Sequence, residues 1–166
     1  MDKPIIVGVM GGGQASAADA RSAYELGALI AKQGWILLNG GRNAGIMEAS
    51  ARGASDNGAI TVGILPDDDI ARASSHIQIP ILTGMGDGRN YINVLTSNVV
   101  VACPGGAGTI SEIALALKNA RPVILMNFDT GPIFDRYRRK GLLWLVNTPD
   151  EVIETIKGLT GSRNGG

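Results

Sequence analysis

Asn98-Val99-Val100-Val101-Ala102-Cys103-Pro104-Gly105-Gly106-Ala107-Gly108-Thr109-Ile110-Ser111-Glu112 runs from an unbroken apolar segment into a turn of small residues and out into a helical pattern. The apolar segment, residues 98–103, has no polar alternation and reads as a strand covered on both faces, as in a parallel sheet. A helix is predicted over residues 110–119. Between them, the loop 104–109 offers backbone amides without side chains in front of them, at a helix N-terminus whose dipole favours anions. Thr109 adds a hydroxyl donor.

The same unit recurs on either side. Ile5-Ile6-Val7-Gly8-Val9-Met10 is a buried strand ending in Gly11-Gly12-Gly13, and Ser16 or Asp19 opens a helix through Ala20, Tyr24, Leu26 and Ile30. Gly34 breaks that helix, and residues 35–38 form the next strand. Asn39-Gly40-Gly41 then starts a turn before a small-residue helix over residues 45–55. Residues 60–65 are a third strand, closed by Pro66 and an acidic loop, and residues 77–82 read as a short strand. A glycine-rich stretch, residues 84–88, leads into a short helix over residues 89–95. Strands at 123–126 and 142–146, separated by a polar loop, and a helix from Pro149 to Lys157 complete the series. Strands alternating with helices imply an α/β, Rossmann-like, doubly wound and mainly parallel sheet flanked by helices on both faces. One domain over residues 1–160 is expected, with a flexible tail at 161–166. A domain near this length buries roughly 70% of its unfolded surface.

Composition narrows the function. The 15 basic and 15 acidic residues cancel, which argues against nucleic acid or a membrane surface as partner. One cysteine, Cys103, and one histidine, His76, exclude an internal disulfide and leave too few ligands for a structural zinc. No secretory leader or membrane span is expected, so the cytoplasm is the expected compartment.

Ligands of such folds lie at the carboxyl ends of the strands. That rule gathers the candidate binding residues: Gly12 and Gly13 after the first strand, Gly41, Arg42 and Asn43 after the second, Asp67 after the third, and Gly105, Gly106, Ala107, Gly108 and Thr109 after the fifth. Arg89 can meet a phosphate with its fork of donors. Glu112 is either a capping partner of Thr109 or a cleft carboxylate that binds a polar ring or moves a proton. Asp67-Asp68-Asp69 is either a solvated loop or a contact for ligand hydroxyls. Met47 is read as core filler, and His76 and Cys103 as structural. The basic run 136–140 is read as an exposed helix face or an oligomer contact. No lysine follows the last loop glycine, so this is not the phosphate loop of ATP hydrolases.

Together these residues resemble the lonely-guy superfamily, which also carries the older name of lysine decarboxylase. It contains the cytokinin-activating phosphoribohydrolases and the molybdenum cofactor carrier proteins. The likeness spans nearly the whole chain. It rests on residues 7–13, on Gly40-Gly41 with Gly45-Ile46-Met47, on Val62-Gly63-Ile64-Leu65-Pro66, on Arg89, and on the PGGxGTxxE motif of residues 104–112. Asn90 stands where the hydrolases carry a lysine, and Arg42 where they carry a third glycine. With the short length and the loop 84–90, these departures turn the resemblance toward the carriers.

The resemblance implies a homo-oligomer, dimer or tetramer, that binds and protects the pyranopterin molybdenum cofactor (molybdopterin) and passes it to molybdenum enzymes. The cofactor's terminal phosphate would meet the Thr109 loop, and its oxyanionic metal end another glycine turn or arginine. No catalytic residue is needed for such a carrier and no protein metal site is implied. The alternatives are a phosphoribohydrolase of nucleoside 5′-monophosphates, an N-glycosidic-bond hydrolase using Arg89 and Glu112, and a nucleotide-binding sensor. Lysine decarboxylation is disfavoured, because no lysine stands in a cofactor-anchoring context.

Overall fold

A computed structural model describes residues 3–161. Within them the elements run β1 (Ile6–Met10), α1 (Ala17–Lys32), β2 (Ile36–Asn39), α2 (Gly45–Asp56), β3 (Thr61–Leu65), β4 (Ile79–Leu82), α3 (Arg89–Thr96), β5 (Val99–Ala102), α4 (Ala107–Lys118), β6 (Val123–Met126), α5 (Asp135–Arg139), β7 (Leu143–Val146) and α6 (Pro149–Gly161). All seven strands pair in parallel in the order β4-β3-β2-β1-β5-β6-β7, which is the Rossmann-like arrangement expected.

Side chains alternate between two cores, as the period of a strand requires. Val7, Val9, Leu37, Val99, Val101 and Ile124 face α1, α2 and α6, while Leu38, Ile64, Val100, Ala102, Val123 and Leu125 face α3 and α4. The alanines of residues 49–54, which suit close helix approach or packing on the sheet, are used inside the chain: Ala49, Ala51 and Ala54 are buried in the first core.

The chain winds outward from β1 to β4, then returns to lay β5 beside β1 and winds the other way. The crevice at that reversal is where such folds bind ligands. Ser16 caps α1, its hydroxyl accepting from the Asp19 amide at 3.0 Å.

Several boundaries depart from the sequence reading, and the strand expected at 77–82 begins only at Ile79. Helix α4 begins at Ala107 with Gly106 as its cap, three residues before the expected start at Ile110, because small residues carry no apolar period although they are helical here. Thr109 therefore belongs to the first turn of α4. The polar loop expected after β6 contains a 3-10 turn (Gly131–Phe134), and α5 follows it with Arg136, Arg138 and Arg139 exposed, the helix face read for the basic run. The last helix continues past Lys157 to Gly161. Gly161, expected to open the flexible tail at 161–166, is thus the last residue of α6, and residues 162–166 lie outside the described residues.

Cys103 follows β5 directly at 1% exposure, and burial pushes its thiol up to about 12, with the nearby Asp19 carboxylate adding to the effect. The thiolate is the nucleophile, so at about pH 8 the native thiol should be inert toward a disulfide reagent, then react stoichiometrically once guanidinium unfolds the chain. Fast labelling of the native protein would contradict that burial.

Candidate functional site

The turns after β1 and β5 are pinned together at the reversal: the Gly12 amide donates to the Pro104 carbonyl at 3.0 Å. A Cβ on Gly105 would stand 2.8 Å from the Gly12 nitrogen and 2.1 Å from Thr109 Oγ1, so only glycine lets the two turns and the threonine approach this closely. Gly106 makes no side-chain cap. The first amides of α4, those of Ala107, Gly108 and Thr109, have no intrahelical acceptor and are offered outward.

Between these turns, β2 and α3 lies a cleft of about 210 Å³ lined by Met10, Gly11, Gly12, Gly13, Gly40, Met47, Asp87, Arg89, Asn90, Gly106, Gly108, Thr109 and Glu112. A more open groove of about 520 Å³ shares Gly12, Gly13 and Gly106 with it and continues past Gln14, Asp19, Pro104 and Gly105. Compartments of this size lie near the roughly 300–1,000 Å³ of small-molecule sites.

Two charged groups face each other in the cleft. Arg89 Nη1 and Glu112 Oε1 are 3.8 Å apart, with side chains only 12% and 8% exposed. Arg89 opens α3; its Nη1 also donates to Asn90 Oδ1, while its Nε is buried without a partner. Glu112 Oε1 accepts from Asn93 Nδ2 at 2.9 Å. Burial raises the Glu112 carboxyl above its ordinary value, against the lowering effects of the Asn93 hydrogen bond and the Arg89 charge. Burial likewise lowers the Arg89 guanidinium, opposed by Glu112. Removing charged groups from water disfavours their charged forms.

The structure removes the capping reading of Glu112. With Gly106 as the cap and Thr109 inside the helix, no capping box exists, and the carboxylate faces the cleft. Of the sequence candidates, Gly12, Gly13, Arg89, Gly106, Gly108, Thr109 and Glu112 line the cleft, and Gly105 lines the adjoining groove.

The others do not. Arg42 Nη2 pairs with Asp67 Oδ1 at 2.9 Å, and neither residue lines the cleft; Arg42 lines a separate surface pocket. Gly41 is buried against Leu65 and Gly63, and its amide is held by Asn39 Oδ1 at 2.8 Å. Asn43 lies on a separate surface pocket with Arg72, where its amide donates to the Arg72 carbonyl at 2.9 Å. Ala107 contributes its place in the backbone and is absent from both linings.

Met47 lines the cleft and is not the core filler expected. Asn90, which stands where the hydrolases carry a lysine, lines the cleft, and so does Asp87; Asp87 and Asn93 are not among the sequence candidates. A spacing of three or four residues from Arg89 along α3 would have pointed to Asn93. His76 sits 3.5 Å from Glu48, away from the cleft. Among the described residues no group of histidine, cysteine and carboxylate side chains is arranged to hold a metal ion, and no helix is long and apolar enough to cross a membrane.

Residues 4–153 match the model of the SLOG cluster4 family. The molybdenum cofactor binding protein of Rippkaea orientalis superposes with a TM-score of 0.89 at 46% identity, covering 95% of this chain and 98% of that one. The molybdenum cofactor carrier protein of Chlamydomonas reinhardtii superposes with a TM-score of 0.87 at 39% identity, covering 96% and 99%. A cytokinin riboside 5′-monophosphate phosphoribohydrolase of Mycobacterium tuberculosis is 36% identical over 93 residues, which are 55% of this chain and 50% of that protein.

Proposed function

This chain belongs to the SLOG cluster4 family, and from that premise we propose that its cleft binds the phosphate-bearing molybdenum cofactor and that the protein carries it to molybdenum enzymes. The observation that carries the reading is the meeting of two bare glycine turns with the uncapped amides of α4 and the Arg89 guanidinium in one cleft. Bare amides at a helix start suit a phosphate, and an arginine on the wall of the cleft suits a second oxyanion. The groove past Gly105, Gln14 and Asp19 gives a fused ring room beside the anion. Likeness over nearly the full length to proteins described as binding or carrying this cofactor supports the same ligand. We extend the reading to a single-domain, cytoplasmic homo-oligomer.

The test is to load the protein with cofactor and follow three quantities: retention through gel filtration, slowed oxidation of the dithiolene, and reactivation of cofactor-free nitrate reductase. The double variant Thr109→Ala with Arg89→Ala should lose all three. Equal behaviour of wild type and variant would place the pocket elsewhere.

A second reading has one observation in its favour, the Glu112 and Arg89 pair facing each other inside the cleft. Together they can assist departure of a base from a nucleoside 5′-monophosphate. Steady release of free adenine from adenosine monophosphate, abolished in Glu112→Ala, would replace the carrier by a hydrolase.

A further inference from the structure

A site for oxyanions does not ordinarily keep a carboxylate in its wall. Glu112 does stand there, 6% exposed, in the same cleft as Arg89 and the amide end of α4. An anion seated against those donors lies beside a like charge, which favours protonation of the carboxyl.

The partner of Glu112 suits either protonation state. Asn93 is fully buried, and its Nδ2 donates to the carboxylate while its Oδ1 has no donor of its own. An amide turned by half a rotation presents an acceptor in place of a donor, so the same side chain can receive the proton of a carboxylic acid. A lysine or arginine in that place would hold only the ionised form.

The other charges around Glu112 are accounted for. Arg89 faces it from α3, and Asp87 lines the cleft from the 3-10 turn before α3. Arg42 and Asp67, from the loops after β2 and β3, are paired to each other and act on Arg89 with opposite signs. Asp19 lines the adjoining groove from α1.

We propose that Glu112 is a protonation switch for the cleft: an oxyanion that docks beside Arg89 enters together with one proton, taken from solvent onto a Glu112 carboxylate oxygen and held against Asn93. The inference rests on the anion-binding reading above and adds the proton to it. The one bond formed is O–H on Glu112, and no electrons move between groups. Burial already raises this carboxyl, and a bound anion raises it further. The sign follows: the complex binds the proton more tightly than the free protein, so oxyanion affinity grows as pH falls and is lost as pH rises through the value of the complex. The change is at most about tenfold per pH unit. Charge entering the cleft is thereby partly neutralised, and a rise in pH favours release.

Calorimetry with sodium sulfate tests this, because sulfate stays a dianion over about pH 5 to 8 and brings no titrating group of its own. Titrations in buffers of different ionisation enthalpy count the protons. Wild type should take up close to one proton per sulfate at the pH of greatest uptake. Glu112→Gln should take up none and should bind with an affinity that no longer varies with pH. His76 lies away from the cleft, 3.5 Å from Glu48, and serves as the control: His76→Gln should keep the wild-type count. Sulfate binding without proton uptake, or uptake that persists in Glu112→Gln, would overturn the switch and leave the anion site standing. Absence of saturable sulfate binding at every pH would overturn both. If the Glu112 variant does not fold, the wild-type count decides alone.

Discussion

Gly45→Ala is expected to destabilise the protein by about 3 kcal/mol and to remove ligand binding with it. Two effects add at this position. Gly45 has φ +51°, in the left-handed region that a side chain strains. A Cβ there would stand 2.2 Å from the Gly12 carbonyl oxygen and 2.6 Å from the Gly13 carbonyl carbon, both backbone atoms that cannot swing aside. Relief requires α2 to withdraw from the turn after β1, breaking the 3.0 Å bond from the Ile46 amide to the Gly12 oxygen. That turn is one wall of the cleft, so stability and binding should fall together. Gly58→Ala separates the terms, because Gly58 is also left-handed, at φ +83°, but has open space around its Cβ. It should show the conformational part alone, about 1 kcal/mol. Urea unfolding reads both as a lowered midpoint at unchanged slope. Equal losses at the two glycines would mean that crowding at Gly45 is relieved cheaply and that the wall is softer than the close approach implies.

The sheet was legible because its strands are continuous apolar runs punctuated by glycine, and a run such as residues 98–103 has no alternative burial. The cleft was legible in part for the same reason: strand ends are where residues such as Gly12, Thr109 and Glu112 must appear, and those positions follow from strand and helix order. What sequence could not supply was pairing across space. Arg42 and Asp67 each looked free to meet a ligand, yet they lie 25 residues apart in the chain and 2.9 Å apart in the fold. Met47 carries the spacing of a core residue on α2, and its turn toward the cleft depends on where β1 and α3 stand. The start of α4 was misplaced because Ala107 and Gly108 show no apolar period, although helix geometry begins with them. Asn93 went unread because its role exists only through Glu112, on a different helix.

These two arginines give the clearest contrast between position and pairing. Arg89→Ala should weaken binding of the cofactor, or of sulfate as its simplest surrogate, by about 1.5–3 kcal/mol, roughly 10- to 150-fold. Arg42→Ala should leave binding unchanged within experimental scatter and shift stability by about 0–1 kcal/mol, because its charge is already met by Asp67 and a partly exposed pair contributes little. Arg89→Lys should recover only a fraction of the loss. Lysine restores the charge but not the fork, in which Nη1 holds Asn90 and Nη2 stands 2.8 Å from the place a Gly40 Cβ would take. A further consequence distinguishes loss of a contact from loss of the fold. Arg89 lowers the Glu112 carboxyl, so removing it should move that group higher still, and the residual binding of Arg89→Ala should keep its pH dependence to higher pH than wild type. Calorimetric titration of each variant across pH measures both effects. If Arg42→Ala proved as damaging as Arg89→Ala, the ligand would have to lie over the Arg42 and Asn43 loop, and the cleft between α3 and α4 would lose its claim to it.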